Sequence, residues 1–156
     1  LLLKMKKAGC VTINYGVESV DPDVLANIKK GISLDQVEEA IKLTREFGIK
    51  ANVFLMVGNL GDNMEVVEKV KNFIERVKVG GVHLSMATPL PGTEFWDWVE
   101  ENGRWLAYDR EELLDWPIDD VEDAYPVFET PEFTAEERVG AYQKIRNLLA
   151  KKELLI

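Results

Sequence analysis

The residue with the clearest chemical potential is Glu18, an acidic side chain that follows an alternating run of apolar and polar residues at 11–17. Asp21-Pro22 comes next and marks the start of a helix. A carboxylate at the C-terminal end of a parallel strand lies where α/β barrels hold their ligands. It can accept hydrogen bonds from the vicinal hydroxyls of a ribose. The alternative is structural: Glu18 pairs with a neighbouring lysine and binds no ligand. The sequence favours neither interpretation.

Two lysines and a glycine turn are the next candidates. Lys29 and Lys30 end a predicted helix before Gly31. A cation there is favoured by the helix dipole and could also reach a ligand carboxylate. Gly58 and Gly61 bracket a turn after the second predicted strand. They indicate close backbone approach or positive φ, and such a junction can also present N–H groups to an adenine or a phosphate.

The elements that must position these groups alternate along the first two thirds of the chain. Strand patterns at 11–17, 50–57 and 82–87 are separated by helical patterns, which predicts a parallel α/β sheet. One of these helices starts at Ser33 with Gln36 at capping-box spacing. The last helix, at about 134–152, starts in the same way at Thr134 with Glu137.

Each predicted strand has one apolar and one polar face, whereas strands buried on both faces read as continuous apolar runs. The apolar faces suit a cover of helices. The polar faces share one inner side of the sheet and carry Thr12, Asn14, Glu18, Asn52, His83 and Ser85. Burying so many unpaired polar groups would cost about 2 kcal/mol each. We therefore predict a wet cavity that binds a small molecule, with a self-satisfied hydrogen-bond network as the alternative. His83 is expected to be a satisfied side chain and not a metal ligand, because no second ligand stands at metal spacing.

Composition narrows the class of protein. The 156 residues suffice for one core, and a net charge of −9 argues against a nucleic-acid partner. No apolar run approaches the roughly 20 residues that span a bilayer. A single cysteine excludes an internal disulfide and fits a reducing cytoplasm, which is the expected location. The absence of an initial Met leads us to expect a segment of a longer protein.

A series of short stretches has the order and spacing of a known family. They are MKKAGC at 5–10, INYGVES at 13–19 with Asp21-Pro22, IKKG at 28–31, the helix at 37–48, FLMVG at 54–58 with Gly61-Asp62, SMATP at 85–89 and PGT at 91–93. Together they resemble the later half of the radical S-adenosylmethionine (SAM) enzyme core, and most of all the subfamily with an N-terminal cobalamin-binding domain. Asn59-Leu60 and Val20 depart from the residues usual in the family.

The resemblance implies an α/β fold, a partial (β/α) TIM-like barrel of which these strands are the fourth to sixth. Residues 1–103 would form this half barrel and residues 104–156 an α-helical C-terminal extension. Glu18, with its neighbour Ser19, matches the position that binds the SAM ribose, and Lys30 matches the basic residue that approaches the SAM carboxylate. The residues that match those flanking the adenine are Met56, Val57, Gly58 and Thr88. The substrate cavity would be lined by Asn14, Asn52, His83 and Ser85.

The chain lacks the family's CxxxCxxC loop, which holds a [4Fe–4S] cluster, and it lacks the cobalamin domain. The resemblance therefore implies SAM as cofactor here, with the cluster, and cobalamin where the parent protein uses it, bound by residues outside this chain. The parent would cleave SAM reductively to a 5′-deoxyadenosyl radical, in a cyclase- or methyltransferase-like reaction. This chain alone is expected to be inactive.

The expected partners are the N-terminal part of the parent, a small-molecule substrate, and a second copy or the tail paired with the open edge of the first strand. Two alternatives remain. One is a cluster-free module that binds a nucleoside, and the other is a structural or interaction α/β domain.

Overall fold

The centre of the fold is a parallel sheet with strand order β1-β2-β3. The computed structural model describes residues 1–106 and 125–156. The three strands are β1 (Thr12–Glu18), β2 (Lys50–Val57) and β3 (Gly81–Met86). The helices are α1 (Leu2–Lys7), α2 (Pro22–Asn27), α3 (Leu34–Glu46), α4 (Val66–Arg76), α5 (Glu94–Asn102) and α6 (Ala135–Lys151). Two short strands, β4 (Arg104–Trp105) and β5 (Phe128–Glu129), form a separate antiparallel pair.

Capping residues explain where the two longest helices begin. The side chains of Ser33 and Gln36 form a capping box at the start of α3, and Thr134 and Glu137 form one at the start of α6. Each box satisfies two backbone N–H groups that have no partner inside the helix. Both predicted helix starts are confirmed.

The two faces of the sheet differ as the alternating pattern predicts. One face is packed against α3 and α6, and α4 packs on α6 beside it. Val53, Leu55 and Val82 on this face are at most 1% exposed and form the core with helix residues such as Phe73 and Ile145. The opposite face is polar, and its Asn14, Phe54 and His83 are exposed. The prediction that helices cover an apolar face of the sheet and leave a largely polar face is therefore confirmed, and the polar face as the inside of a barrel stays a prediction.

The C-terminal residues lie on the free edge of β3. The backbone N–H of Val82 donates to the Leu154 carbonyl at 2.7 Å, and the Ile156 N–H donates to the Val82 carbonyl at 3.1 Å. We expected the tail, or a second copy of the chain, to pair with the open edge of β1. The described tail residues pair instead with the opposite edge, because the turn after α6 brings them out beside β3. Pairing of β1 with a second copy stays a prediction.

Trp96, Trp98 and Trp105 contribute to a small second core. Trp96 and Val99 of α5 pack against Val127 and Phe128, and the rings of Trp96 and Trp105 lie 4.2 Å apart between centroids. Phe95, Trp98 and Trp105 are partly buried against this cluster. The acidic stretch at 107–124 lies outside the described residues, and the boundary at 103–104 stays a prediction. Within 1–106 and 125–156, no helix combines the length and apolarity needed to cross a bilayer.

Candidate functional site

A β-bulge at the end of β1 sets the position of Glu18. The register of β1 against β2 shifts between Gly16 and Glu18. Val17, inside the bulge, is 1% exposed and belongs to the core, whereas Glu18 takes a positive φ of 69°. A positive φ is costly for a residue with a Cβ, and bulges commonly redirect a side chain near a binding site. The backbone is therefore strained at the residue that the family resemblance matches to the ribose-binding position.

The Glu18 carboxylate pairs with Lys30. Lys30 Nζ donates to Glu18 Oε1 at 3.1 Å, and the side chains are 30% and 24% exposed. Among the described residues, no hydrogen bond reaches Glu18 Oε2. A Cβ on Gly16 would lie 2.7 Å from Glu18 Oε1. The carboxylate thus lies over the glycine, and a methyl group there would displace the end of the Glu18 side chain. The predicted lysine contact is present, and one carboxylate oxygen remains able to accept a bond from a ligand.

The other predicted residues near Glu18 have different contacts. Lys29 pairs with Glu94 at the start of α5, and both side chains are largely exposed. Ser19 is 2% exposed, and its Oγ accepts a hydrogen bond from the Asp21 N–H at the start of α2. Lys30 therefore lies at the site, Lys29 does not, and the structure gives the Ser19 hydroxyl a capping contact.

The turn after β2 is held from two sides. Gly58 and Gly61 have φ values of 95° and 89°, which glycine adopts without strain. Asp62 Oδ2 accepts from the backbone N–H of Gly58 at 2.9 Å and of Asn59 at 3.1 Å. Arg138 Nη1, from α6, donates to the Gly58 carbonyl at 2.9 Å. Both polar backbone groups of Gly58 are therefore bonded to charged side chains.

Arg138 is buried to an unusual degree for an arginine. It is 2% exposed, and its Nε donates to the Phe133 carbonyl at 2.9 Å. The guanidinium carbon lies 4.1 Å and 4.9 Å from the ring centroids of Phe128 and Phe133. Such contacts partly replace the hydration that the cation loses. The side chain is thus fixed in both position and plane.

Burial dominates the electrostatics of this turn. Desolvation raises the pKa of the Asp62 carboxyl to about 6, although two N–H bonds and the charge of Arg138 oppose the shift. Desolvation likewise lowers the pKa of the Arg138 guanidinium to about 10, against the attraction of Asp62 and Glu129. In both groups the cost of burial exceeds the attraction between the two charges.

The inner face of the sheet carries the predicted substrate residues in register. Asn52 Nδ2 donates to Asn14 Oδ1 at 3.0 Å, and Asn52 Oδ1 is buried with no hydrogen-bond partner in the described part of the chain. One level nearer the C-terminal ends of the strands, the Phe54 and His83 rings are in contact, with centroids 5.2 Å apart and planes tilted by 59°. Gly16 stands at the same level across the sheet. This face is open to solvent here, so its closure into a cavity stays a prediction.

The remaining predicted positions lie at the C-terminal edge of the sheet. Met56 and Ser85 are in register and half-buried, and Val57 is fully buried in the core. Thr88 is half-buried, and its hydroxyl donates to the Met86 carbonyl at 3.5 Å. The structure therefore brings Glu18, Lys30, Met56 and Ser85 to one edge and face, with the glycine turn beside them.

Two residues of this region were missed by sequence reasoning, Asp62 and Arg138. Arg138 stands in the buried stripe of α6 with Ala141, Tyr142, Ile145 and Leu149. The helical spacing of that stripe is the signal that could have identified it. Asp62 belongs to the Gly61-Asp62 stretch that contributes to the family resemblance, but the sequence assigned it no role.

The residues of this chain do not fit an iron–sulfur cluster. The sequence holds one cysteine and one histidine. Among residues 1–106 and 125–156, no group of three metal-ligating side chains comes together. The expectation that cluster ligands lie outside this chain is consistent with this composition.

Comparison with known proteins identifies the family. The description "Radical SAM superfamily" belongs to the family model that matches residues 1–74. An "Uncharacterized methyltransferase PH0819" of Pyrococcus horikoshii is 31% identical over 133 residues, which cover 85% of this chain and 27% of that protein. The resemblance to the radical SAM superfamily is therefore confirmed, with residues 1–74 as the matched part of the chain.

A solved structure shows the same fold. The radical SAM methyltransferase TsrM from Kitasatospora setae, with tryptophan substrate and a SAM analogue bound, superposes with a TM-score of 0.70 at 19% identity. The match covers 97% of this chain and 34% of TsrM. A second TsrM structure, with cobalamin and a [4Fe–4S] cluster bound, gives a TM-score of 0.68. The chain thus spans about a quarter to a third of the length of these relatives.

The comparisons bear on the expected cofactors. SAM is the cofactor that defines the matched superfamily, and the TsrM structures contain a SAM analogue, cobalamin and a [4Fe–4S] cluster. The prediction of SAM and a cluster, with cobalamin as a further cofactor of the group, is confirmed at the level of the family.

Proposed function

We propose that this chain forms the later half of a SAM-binding partial barrel in a larger radical SAM enzyme, with Glu18 as the ligand of the ribose hydroxyls. The observation that carries the proposal is the local structure around Glu18. A positive φ, a bulge and the open surface over Gly16 support a ligand-binding role for this carboxylate at the C-terminal end of β1. Strain of this kind persists where the surrounding structure enforces it, and it is concentrated at binding sites.

The groups at this edge match the chemistry of SAM. Glu18 Oε2 can accept a hydrogen bond from a ribose hydroxyl, and Lys30 supplies a cation for the methionyl carboxylate. The turn at Gly58 and the backbone at Thr88 would flank the adenine. The orphaned Asn52 Oδ1 and the Phe54–His83 pair belong to the inner face, where we place the substrate.

The rest of the barrel would cover what is exposed here. The polar inner face is open, and no described residue pairs with the outer edge of β1. The expected N-terminal part of the protein would close both and would supply the cluster ligands that this chain does not contain. An electron from a reduced cluster would cleave bound SAM to a 5′-deoxyadenosyl radical and methionine, and SAM could separately serve as a methyl donor. The relatives named above support a methyltransferase-type reaction on a small molecule, and this chain alone would be inactive.

The experiment is equilibrium binding of SAM to the intact protein and its Glu18→Ala and Glu18→Gln variants. Losing a hydrogen bond to a charged group corresponds to roughly a tenfold to hundredfold weaker affinity. Glu94→Gln is the matched control, because it also breaks a lysine–carboxylate pair, between α5 and the neighbouring Lys29. Wild-type affinity in both Glu18 variants would refute the proposal.

A further inference from the structure

We propose that Arg138 is a positioning residue for the adenine end of the SAM site, acting through the turn at Gly58. The inference rests on the function proposed above, since it assumes that this turn flanks the adenine. Arg138 is on α6, 80 residues further along the chain than Gly58. The C-terminal helix would thereby become part of the cofactor site without touching the cofactor.

Two hydrogen bonds fix the backbone at Gly58. Gly58 has its N–H bonded to Asp62 and its carbonyl bonded to Arg138, so neither peptide plane beside it can rotate freely. A Cβ at Gly58 would lie 2.5 Å from Arg138 Nη1. The guanidinium thus approaches the backbone in space that only glycine provides. The orientation of the next peptide groups, which would face the adenine, follows from these two bonds.

The buried Arg138 guanidinium contributes more to the geometry of the turn than to stability. A buried cation without a direct carboxylate partner is a poor source of stability, and an apolar side chain of similar length often packs as well. What an apolar chain cannot do is donate two directed hydrogen bonds. Arg138 uses Nε and Nη1 to tie the Phe133 carbonyl to the Gly58 carbonyl, and Phe128 and Phe133 hold its plane. The side chain is therefore suited to fixing geometry.

The test must separate positioning from general stability. Adenine and hypoxanthine differ at the purine edge, where one carries an amino group and the other an oxygen. We expect wild-type protein to prefer S-adenosylhomocysteine over S-inosylhomocysteine, since a site built for one pattern of donors and acceptors rejects the other. In Arg138→Met the turn is free to shift. The dissociation constant of S-inosylhomocysteine divided by that of S-adenosylhomocysteine should then fall about fivefold, which corresponds to one misplaced hydrogen bond.

Tyr142→Phe is the matched control. It removes a hydrogen bond from the same helix to the same sheet, between Tyr142 Oη and the Leu84 carbonyl at 3.3 Å. A loss of stability alone lowers the active fraction for both ligands equally, so this variant should keep the wild-type ratio. If Arg138→Met does not fold, Arg138→Lys carries the test, because lysine keeps the charge and cannot form the two-pronged contact.

The outcomes are distinct. A wild-type ratio in the folded Arg138 variant, with Glu18→Ala still weakening SAM binding, would overturn the positioning role and leave the proposed function standing. An equal fall in the ratio for Tyr142→Phe would also overturn it, since any loosening of α6 would then suffice. Wild-type SAM affinity in the Glu18 variants would remove the proposed function on which the inference rests.

Discussion

Gly16 and Gly58 each leave room for a charged side chain, and the two surroundings are opposite in character. Glu18 Oε1 lies 2.7 Å from the position that a Cβ would take at Gly16. Arg138 Nη1 lies 2.5 Å from the corresponding position at Gly58. Glu18 is about a quarter exposed and belongs to an open face, whereas Arg138 is 2% exposed. The first glycine makes room for a group that can meet a ligand, and the second for a group that holds the backbone. The same substitution should therefore affect binding at one glycine and stability at the other.

The largest effect is expected for Gly58→Ala. The variant combines the strain of a positive φ with displacement of a buried, hydrogen-bonded guanidinium, so it should lower the free energy of unfolding by about 4 kcal/mol. Gly92→Ala is the control, because Gly92 also has a positive φ, of 82°, and has no atom within 4 Å of the Cβ position. Urea denaturation measures both. Equal losses in the two variants would mean that the Arg138 contact adds nothing.

An intermediate effect, dependent on pH, is expected for Asp62→Asn. Burial raises the pKa of Asp62 from 3.8 to about 6, so the folded state binds the proton more tightly than the unfolded state. The resulting stabilisation is complete below pH 3.8 and is lost as the pH rises through 6. The free energy of unfolding of wild type relative to the variant should increase by about 2 kcal/mol from pH 7 to pH 4. Parallel pH curves for the two proteins would contradict the raised pKa.

The smallest effect on stability is expected for Gly16→Ala. The new methyl group meets only the ends of the Glu18 and Lys30 side chains, which can move into solvent. The free energy of unfolding should change by less than about 0.5 kcal/mol. SAM affinity should nevertheless fall about fivefold, because the carboxylate loses its place over the strand. A loss of stability like that of Gly58→Ala would show that the two glycines do not differ in the way described.

The features that could be predicted from the sequence are those set by near neighbours along the chain. Capping boxes depend on residues three apart, and the two faces of each strand follow from alternation. The bulge at Glu18 depends on the register between β1 and β2, which no local pattern encodes. The sequence therefore identifies Glu18 as a candidate ligand but not the strain that supports this role.

Arg138 marks the other limit of sequence reasoning. Its position in the buried stripe of α6 is readable, yet arginines are rarely buried, and the usual interpretation is a solvent-exposed side chain. Its hydrogen-bond partner Gly58 is 80 residues away, and the aromatic rings around it come from a third segment. Only the folded chain shows why a guanidinium belongs there. Ser19 is the reverse case, since a predicted ligand residue has its hydroxyl engaged in capping α2.

The pairing of residues 154–156 with β3 leaves the two edges of the sheet unequally available to a further strand. Val82 both donates to and accepts from the C-terminal residues, so incoming strands meet occupied hydrogen-bonding groups on that side. Among the described residues, the edge of β1 carries no such cover. A strand that joins this sheet is thereby steered to β1, next to the face that carries Asn14 and Glu18. Pairing of a further strand with β3 is discouraged by the bonds that residues 154–156 make there.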